Sequence, residues 1–488
     1  MRVLFYVTAL YKDLLSDLVQ ILNQNHDVRI LATDNDVKFY LKKLIDEEIK
    51  IETIDDYRKQ VEEILNKLDN TEQEKLFLNK EKYYNKNFSA LISQERYIER
   101  GHIHTIDYKI FHKDQLLNRE KKFEYIFQNL SIFEKILDNI KPELIFSFQR
   151  LIYLDLVCKK RAIKYLNFAP AKFKKLYFVC DEYRNNSSIL SKSIKDNLKS
   201  NLDENYDESS FDQIWYGKSN QDFIYSITST FKRIVVLIIK SMKHFIIKKI
   251  YKNQINRVGL MVWILNEIKG YFNFRKYKNL SKNFDQIKKL NYIYFPLHME
   301  PEKVLQSFAL EFNNSLEIIS WISKSLPSNY YLVLKEHPKA FSMRDTKFYD
   351  KIASISNVLL VNQESNSWDL IRNSSFVAGI NGTSILESVY LKKRVICYVD
   401  KMFFNNFTSI SYCSNYEDTK LRISDYINKP LDEELLNKNK NALLKSFLDN
   451  SFEIDEINSI KHKTISLKKE TYKRMIDHIN LFLDEEKL

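Results

Sequence analysis

The sequence predicts an α/β protein with two doubly wound, Rossmann-like domains. Its 488 residues exceed the size at which a single hydrophobic core stops growing, so two domains are expected. Near the N-terminus, short apolar runs alternate with segments of helical periodicity, which is the pattern of parallel strands joined by helices. A second series of the same kind begins near residue 291 and ends near residue 399.

The first domain is predicted to open with a β-α-β-α-β unit. Apolar runs predict strands, and apolar positions three and four residues apart predict helices. The expected strands are residues 3–8, 28–31, 49–54, 144–148 and 164–168, and the expected helices are 10–23, 35–46, 132–139 and 153–161. A polar, mostly helical excursion occupies residues 57–128. The turn 8–12 lacks the Gly-x-Gly-x-x-Gly pattern, which argues against an NAD or FAD site there.

Two side chains of the first domain are candidates for catalysis. Glu95 lies in the densest charged stretch of the excursion, residues 94–100, and could face an acceptor. The alternative is that this stretch is a solvated helix face. Arg150 follows the strand 144–148, at the end where an open α/β sheet presents side chains to a ligand. The alternative for Arg150 is a surface salt bridge.

Residues 231–252 are apolar, aromatic and strongly basic, and lysines interrupt them too often for a membrane-spanning helix. One interpretation is an amphipathic helix that lies on anionic lipid head groups. The other is a helix that links the domains and buries one face against the sheet. The sequence leaves both interpretations open.

The second domain is predicted to repeat the alternation of strands and helices. Its expected strands are residues 292–296, 331–335, 358–361, 376–380 and 395–399. We therefore expect four parts in the chain. They are an N-terminal domain of residues 1–255, an inter-domain passage of 256–290, a C-terminal domain of 291–455 and a helical segment of 456–488.

Net charge, cysteine spacing and apolar segments indicate which partners and which cellular compartment to expect. A formal net charge of +12 suits nucleic acid, anionic lipid or an anionic sugar, but no nucleic-acid-binding motif accompanies it. The four cysteines contain no Cys-x-x-Cys pair, which argues against a zinc or redox site and suits a reducing cytosol. We recognise no signal peptide or spanning segment, so we expect a cytoplasmic protein that could rest on the inner face of the membrane.

Polar residues follow two apolar strands of the second domain where each strand ends. The first of these strand ends is Lys335-Glu336-His337-Pro338. Pro338 holds His337 in an extended conformation, and Lys335 projects to the same face as His337. A cation and an imidazole on one face suit a phosphate group. The alternative is a surface histidine and lysine at an ordinary strand exit.

The second polar strand end is Asn381-Gly382-Thr383-Ser384, directly before a predicted helix. Backbone N–H groups, two hydroxyls and the helix dipole would favour an anion here, and Gly382 permits its close approach. The alternative is structural, because Ser384 to Glu387 matches a capping box. Since ligands bind beyond the carboxyl ends of parallel strands, we expect both strand ends to belong to one site.

Three motifs of the second domain resemble those of a known family. They are Phe295-Pro296-Leu297-His298-Met299-Glu300-Pro301-Glu302, Lys335-Glu336-His337-Pro338 and Asn381-Gly382-Thr383-Ser384-Ile385-Leu386-Glu387. In this order they look like the motif series of bacterial capsule and surface polysaccharide biosynthesis proteins, which are related to the Kdo transferases of capsule assembly. The His-Pro pair and the hydroxyl-rich turn also resemble those of bacterial sialyltransferases. The resemblance covers residues 292–399.

The resemblance implies a GT-B glycosyltransferase, with two doubly wound domains that face each other across a cleft and the donor on the second. The donor would be a CMP-activated, Kdo-like sugar, and the acceptor a glycan or glycolipid. His337 and the Thr383-Ser384 turn would bind the donor phosphate, while Glu302 and Glu387 would hold its ribose or base. The donor-binding candidates are His298, Glu302, Lys335, His337, Pro338, Asn381, Gly382, Thr383, Ser384 and Glu387. We expect neither a metal nor a cofactor, because lysine, histidine and the helix N-terminus can stabilise the phosphate charge.

Two other functions stay open at the level of the sequence. A CDP-alditol phosphotransferase of the teichoic-acid type would use the same phosphate site and transfer a different group. A non-enzymatic, membrane-associated assembly protein would rely on residues 231–252 instead, and its cleft would be inert.

Overall fold

The computed structural model describes the chain except for the following residues. They are 9–11, 95–101, 104–105, 108–118, 149, 172, 174–175, 201, 203–205, 209–210, 212–224, 251–259, 301–304, 306–308, 313, 455–468 and 485–488. Within helices and strands, only the backbone is described for 12–14, 102–103, 106–107, 240–250, 260, 262–263, 310, 469 and 484. The chain divides into two units. The first comprises Met1–Ile92, Arg119–Ile214 and Leu444–Leu488, and the second comprises Ser93–Asn118 and Trp215–Leu443.

Strands and α-helices alternate along most of the described chain. The strands are β1 Arg2–Val7, β2 Asp27–Ala32, β3 Lys50–Thr53, β4 His102–Ile103, β5 Ile106–Asp107, β6 Leu144–Ser147, β7 Lys164–Pro170, β8 Leu176–Cys180, β9 Ser281–Lys282, β10 Asn291–Pro296, β11 Tyr330–Lys335, β12 Val358–Val361, β13 Phe376–Gly379, β14 Val395–Cys397, β15 Ile410–Tyr412 and β16 Phe452–Glu453. The helices are α1 Lys12–Asn23, α2 Asn35–Leu41, α3 Ile54–Leu65, α4 Asn70–Tyr84, α5 Phe88–Gln94, α6 Arg119–Ile140, α7 Ile152–Lys160, α8 Ser188–Lys199, α9 Ile227–Ile250, α10 Leu260–Leu280, α11 Phe284–Ile287, α12 Ser315–Ser325, α13 Phe348–Ala353, α14 Ser367–Asn373, α15 Thr383–Tyr390, α16 Tyr416–Asn428, α17 Glu433–Asn450 and α18 Lys469–Asp484.

The first unit is built on a seven-stranded sheet with the strand order β16-β8-β7-β6-β1-β2-β3. β1 runs parallel to both β2 and β6, and the strand order reverses between β1 and β6. This is the order of a doubly wound Rossmann fold. Five consecutive residues of β1, from Val3 to Val7, are buried, as expected for a parallel strand that is covered on both faces.

The C-terminal part of the chain completes the first unit. β16 pairs antiparallel with β8, at the edge of the sheet. α18 follows, and one face of this amphipathic helix contributes to the core of the unit the side chains of Tyr472, Met475, Ile479 and Phe482. The hydroxyl group of Tyr472 also donates to the carboxylate of Asp17 at 2.6 Å. The helix expected within residues 456–488 is therefore present as a part of the first unit.

The second unit contains a second seven-stranded sheet, with the order β15-β14-β13-β10-β11-β12-β9. All neighbouring strands in it are parallel. The strand order reverses between β10 and β13. One face of the central strands is buried with α14, through a cluster that includes Tyr294, Val333, Val377 and Leu370.

The two sheets confirm the prediction of two doubly wound, Rossmann-like domains. The unit boundaries differ from the expected divisions after residues 255, 290 and 455. Helix α10, which lies in the expected passage, packs on the second sheet, where the side chain of Asn273 donates to the backbone oxygen of Phe341 at 2.8 Å. Strands β15 and β16 are not predicted from the sequence.

Most of the basic segment 231–252 lies in α9, and Tyr251 and Lys252 lie outside the described residues. Over the ranges that the structure describes, no helix is both long enough and apolar enough to cross a membrane.

Candidate functional site

The candidate site lies at the carboxyl ends of β10, β11 and β13 in the second unit. In a doubly wound sheet, ligands bind where the strand order reverses, which here is between β10 and β13. Across this reversal, the backbone N–H of Asn381 donates to Nε2 of His298 at 3.4 Å. His298 also lies close enough to His337 for their charges to interact. The structure thus brings the two polar strand ends together with His298, which follows β10.

His337 is held as a neutral hydrogen-bond donor. Its Nδ1 accepts a hydrogen bond from the backbone N–H of Lys339 at 3.2 Å, so the proton of the neutral ring lies on Nε2. Burial lowers the pKa of His337 to about 3, and the nearby charges of Lys339, His298 and Arg344 act in the same direction. At neutral pH the ring therefore offers a ligand an N–H group and no positive charge.

A buried cluster of charges joins the loops that carry the two histidines. Arg344 is 2% exposed, and its guanidinium donates to Glu336 at 2.7 Å and to Glu300 at 2.9 Å. It also donates to the backbone oxygen of His298. Glu336 in turn accepts a hydrogen bond from the backbone N–H of His337 at 2.8 Å. Arg344 therefore connects the strand end of β10 with that of β11.

Ion pairs and hydrogen bonds within this cluster stabilise its buried charges. Burial lowers the pKa of Arg344, but Glu336 and Glu300 outweigh that effect and hold it above its ordinary value. The hydroxyl of Tyr349 donates to Glu336 at 2.8 Å, and the ring centre of Phe348 lies 4.3 Å from the guanidinium. Buried charges are stable only when they are paired in this way. Arg344 is not predicted as a site residue, because no motif or periodicity marks it in the sequence.

Helix α15 begins directly beyond β13 and has no side-chain cap at its N-terminus. Gly382 is the N-cap residue and has a φ of 116°, a conformation essentially restricted to glycine. Its N–H donates to Oδ1 of Asn381 at 2.6 Å, and the N–H groups of Thr383 and Ser384 come next. The capping-box alternative is wrong, because Ser384 lies inside the helix and Glu387 is one turn further on.

Lys335 and Glu387 are buried at the edge of the site. Nζ of Lys335 donates to the backbone oxygen of Ser365 and, at 3.1 Å, to the hydroxyl of Ser367. Burial lowers the pKa of Lys335 to about 8, although Glu387 acts in the opposite direction. Burial raises the pKa of Glu387 to about 7. Lys335 is 7% exposed, which contradicts the alternative of a surface lysine at this strand exit.

The stability of the protein is expected to depend on pH through Glu387. The folded state holds this proton more tightly than the unfolded state, where the carboxyl has its ordinary pKa of 4.5. The resulting stabilisation is complete below the unfolded value and is lost as the pH rises through about 7. Relative to wild type, Glu387→Gln should therefore gain on the order of 2–3 kcal/mol in the free energy of unfolding between about pH 5 and pH 8.

Urea denaturation at the two pH values measures this gain. Glu364→Gln is the matched control, because Glu364 is exposed on the loop that follows β12. Its effect on the free energy of unfolding should be the same at both pH values. An effect of Glu387→Gln that is equally independent of pH would contradict the raised pKa.

Arg150 lies beyond β6 in the first unit, in a buried ion pair. Its Nε donates to Oδ1 of Asp155 at 2.6 Å, and its Nη1 donates to the backbone oxygen of Tyr165 at 2.6 Å. The guanidinium lies 4.5 Å from the centre of the Tyr165 ring. At 5% exposure, Arg150 is not the surface salt bridge considered as an alternative. A catalytic role for Arg150 stays a prediction.

Two other predicted site residues, Glu95 and Glu302, lie outside the described residues, so their roles also stay predictions. Pro338 is buried directly after His337. In the part of the chain that the structure describes, no group of three His, Cys, Asp or Glu side chains is placed to hold a metal ion.

Comparison with protein families gives a match for the segment that contains the site. Residues 220–412 match the family described as capsule polysaccharide biosynthesis protein. We call these matched residues the capsule biosynthesis segment. The family resemblance drawn from the sequence motifs is confirmed, and the capsule biosynthesis segment also includes α9 and α10. A search of curated proteins by sequence found no match.

Solved structures of other proteins also align with this chain. A UDP-GlcNAc 2-epimerase of Methanocaldococcus jannaschii, in complex with UDP-GlcNAc and UDP, is 12% identical, with 88% of this chain and 94% of that chain covered and a TM-score of 0.29. KpsC of Thermosulfurimonas dismutans, a beta Kdo 2,7 transferase, is 9% identical, with 71% and 89% covered and a TM-score of 0.32. The N-terminal domain of Candida albicans trehalose-6-phosphate phosphatase is 12% identical, with 98% and 96% covered and a TM-score of 0.34. Alignments with TM-scores this low establish neither activity nor substrate.

Proposed function

We propose that the protein is a glycosyltransferase of capsule or surface polysaccharide synthesis that binds a nucleotide-activated sugar at the site of the second unit. The family of residues 220–412 supports a role in polysaccharide synthesis. One observation carries the proposed phosphate site. At the strand reversal, the N-terminus of α15 has no side-chain cap and lies next to His298, which is itself close to His337.

The phosphate would be held mainly by N–H donors. A helix N-terminus carries a positive partial charge of roughly half an elementary charge, and its first N–H groups favour an anion. Nε2–H of His337 supplies a further donor. Lys335 adds a positive charge from its buried position beside Ser365 and Ser367. Donors that are already fixed in place stabilise the charge that develops on a leaving phosphate without reorganisation.

In the proposed reaction, a hydroxyl oxygen of the acceptor attacks the anomeric carbon of the donor sugar. A new C–O bond forms, the bond between the anomeric carbon and the phosphate oxygen breaks, and the nucleotide leaves with the bonding electrons. The hydroxyl proton passes to a general base. From their places in the sequence, Glu95 is proposed as this base, and Arg150 of the first unit is proposed as a further catalytic residue.

We propose a CMP-activated, Kdo-like sugar as the donor and a glycan or glycolipid as the acceptor. The resemblance of the three motifs to capsule biosynthesis proteins, which are related to Kdo transferases, supports this choice of donor. So does the resemblance of the His337-Pro338 pair and the turn before α15 to the motifs of bacterial sialyltransferases. Glu387 and Glu302 are proposed to hold the ribose or base of the donor.

Thermal unfolding with CMP, CDP, UDP, GDP and ADP tests the site and the donor together. At 100 times its dissociation constant, CMP should stabilise the wild-type protein by about 2.7 kcal/mol. His337→Ala should lose this stabilisation, because the Nε2–H donor is gone. His26→Ala is the matched control, since His26 is a partly exposed histidine of the first unit, and it should keep the response.

The pattern of responses separates the competing functions. Stabilisation by UDP, GDP or ADP alone would keep a nucleotide site and overturn the CMP donor. No response to any nucleotide would contradict the glycosyltransferase and favour a non-enzymatic assembly protein. If both CMP and CDP stabilise the protein, analysis of the products from a CMP-sugar and a CDP-alditol would distinguish transfer of the sugar from transfer of the alditol phosphate.

A further inference from the structure

Helices α9 and α10 pack against each other in the second unit. Nε of Arg233 on α9 donates to the carboxylate of Glu267 on α10 at 2.8 Å. The Arg233 guanidinium also lies 4.4 Å from the centre of the Tyr225 ring. The two helices therefore form one element, which we call the α9–α10 pair.

One side of α10 is fixed to the second sheet. The Asn273 side chain donates to the backbone oxygens of Phe341 and Arg344, at 2.8 and 3.1 Å. The buried hydroxyl of Tyr277 donates to the backbone oxygen of Val361 and accepts from the backbone N–H of Glu336. These contacts leave the opposite side of the helix as its outer face.

The outer face of α10 is apolar and exposed. Met261, Leu265, Ile268 and Phe272 follow one another at intervals of four, three and four residues, which places them in one stripe along the helix. Met261 and Phe272 are each 65% exposed. Exposure of a continuous apolar stripe to water is unfavourable. An unbroken row of large apolar side chains on the surface therefore indicates an interaction surface.

Helix α9 has an exposed apolar row of its own. Ile227 is 70% exposed and Phe231, one turn later, is 67% exposed. Ile238 continues the exposed row two turns further on, and the adjacent Ile239 is also exposed. Both members of the α9–α10 pair therefore present apolar side chains to solvent.

The positive charge of the α9–α10 pair indicates which kind of partner this surface would bind. The sequence of α9 contains six lysine or arginine residues and no acidic residue, and that of α10 contains four basic residues and one acidic residue. The one acidic residue, Glu267, is already paired with Arg233. A second copy of the chain would bring the same positive charge to the contact and be repelled. An anionic lipid surface complements both the positive charge and the apolar rows.

We propose that the α9–α10 pair docks the protein on an anionic membrane surface, with its exposed apolar side chains inserted among the lipid head groups. This proposal is independent of the nucleotide site, although α10 reaches that site through the contact between Tyr277 and the Glu336 backbone. Docking would hold the second unit at the surface where a lipid-linked acceptor resides.

Co-sedimentation of the full chain with lipid vesicles tests the proposal. The wild-type protein should bind vesicles that contain phosphatidylglycerol, should bind vesicles of phosphatidylcholine alone much more weakly, and should be released by added salt. The double substitution of Phe231→Asp and Phe272→Asp should weaken binding by at least about tenfold, because it removes two exposed aromatic side chains and adds two negative charges.

A second double variant provides the matched control. Phe39→Asp with Leu78→Asp also replaces two exposed apolar side chains by aspartate, but on the first unit, where Phe39 is 64% and Leu78 is 57% exposed. This control should bind vesicles nearly as well as wild type. Equal loss in both variants, or no binding of wild type to phosphatidylglycerol vesicles, would overturn the proposal. A wild-type dimer that Phe231→Asp with Phe272→Asp converts to monomers, without vesicle binding, would show instead that the surface joins two copies.

Discussion

Arg344→Ala is expected to lower the free energy of unfolding by roughly 3–5 kcal/mol, the range for removing one partner of a buried charge pair. The substitution would leave the buried carboxylate of Glu336 and the partly buried carboxylate of Glu300 without the guanidinium that both contact. It would also remove the hydrogen bond to the backbone of His298. Urea denaturation measures the loss, and the CMP response of the same variant should fall because both histidine loops lose their shared support.

A surface ion pair provides the control for Arg344→Ala. Arg372 contacts Asp369 at 3.2 Å, and about half of each side chain is exposed. Arg372→Ala should change the free energy of unfolding by no more than about 1 kcal/mol, as is usual for exposed pairs. If Arg344→Ala proves too unstable to purify, Arg344→Lys is the alternative. It keeps the positive charge but loses the bidentate contact with Glu336, so it should lower the free energy of unfolding by an intermediate amount. An effect of Arg344→Ala as small as that of Arg372→Ala would contradict the role of the buried cluster.

Gly382→Ala is expected to cost roughly 1–3 kcal/mol of stability and to abolish nucleotide binding. The φ of 116° at this position is strained for any residue with a side chain. An added methyl group would also lie 3.2 Å from Cε1 of His298, so the imidazole would have to move. Because Gly382 is the N-cap of α15, the first N–H groups of the helix would shift with it.

Gly379 offers a matched control three residues earlier. A methyl group added there would meet its nearest neighbour, Ile385, at 3.7 Å, which is an ordinary contact. Gly379→Ala should therefore leave stability unchanged or raise it by roughly 0.4–1 kcal/mol, since it restricts the unfolded chain. Denaturation and the CMP response should be measured for both variants. Equal behaviour of the two would contradict a special requirement for glycine at 382.

The strand ends of the second unit could be predicted because the sheet is parallel and buried. In such a sheet each strand is an almost continuous apolar run, so the run at 331–335 nearly coincides with β11 and the run at 376–380 with β13. The residue types that follow each run then indicate the chemistry at that edge. His337 and Gly382 were found in this way, from patterns only a few residues long.

The supporting residues could not be predicted, because their partners are distant in sequence. Arg344 lies eight residues from Glu336 and forty-four from Glu300, in a stretch without regular periodicity. Only the parallel pairing of β10 with β11 brings these loops together. The protonation state of His337 is equally hard to predict, since its low pKa comes first from burial, which the sequence does not show, and then from nearby charges that include the distant Arg344.

The return of the chain to the first unit has a consequence for folding during synthesis. The first sheet needs β16 for its edge and α18 for its core, and both are made after the whole of the second unit. Domains that are contiguous fold as they emerge from the ribosome, whereas a split domain must wait for its last segment. The second unit can therefore fold while the first sheet still lacks part of its cover. During that interval the unfinished first sheet exposes apolar surface, and chaperones would be expected to act on that nascent sheet.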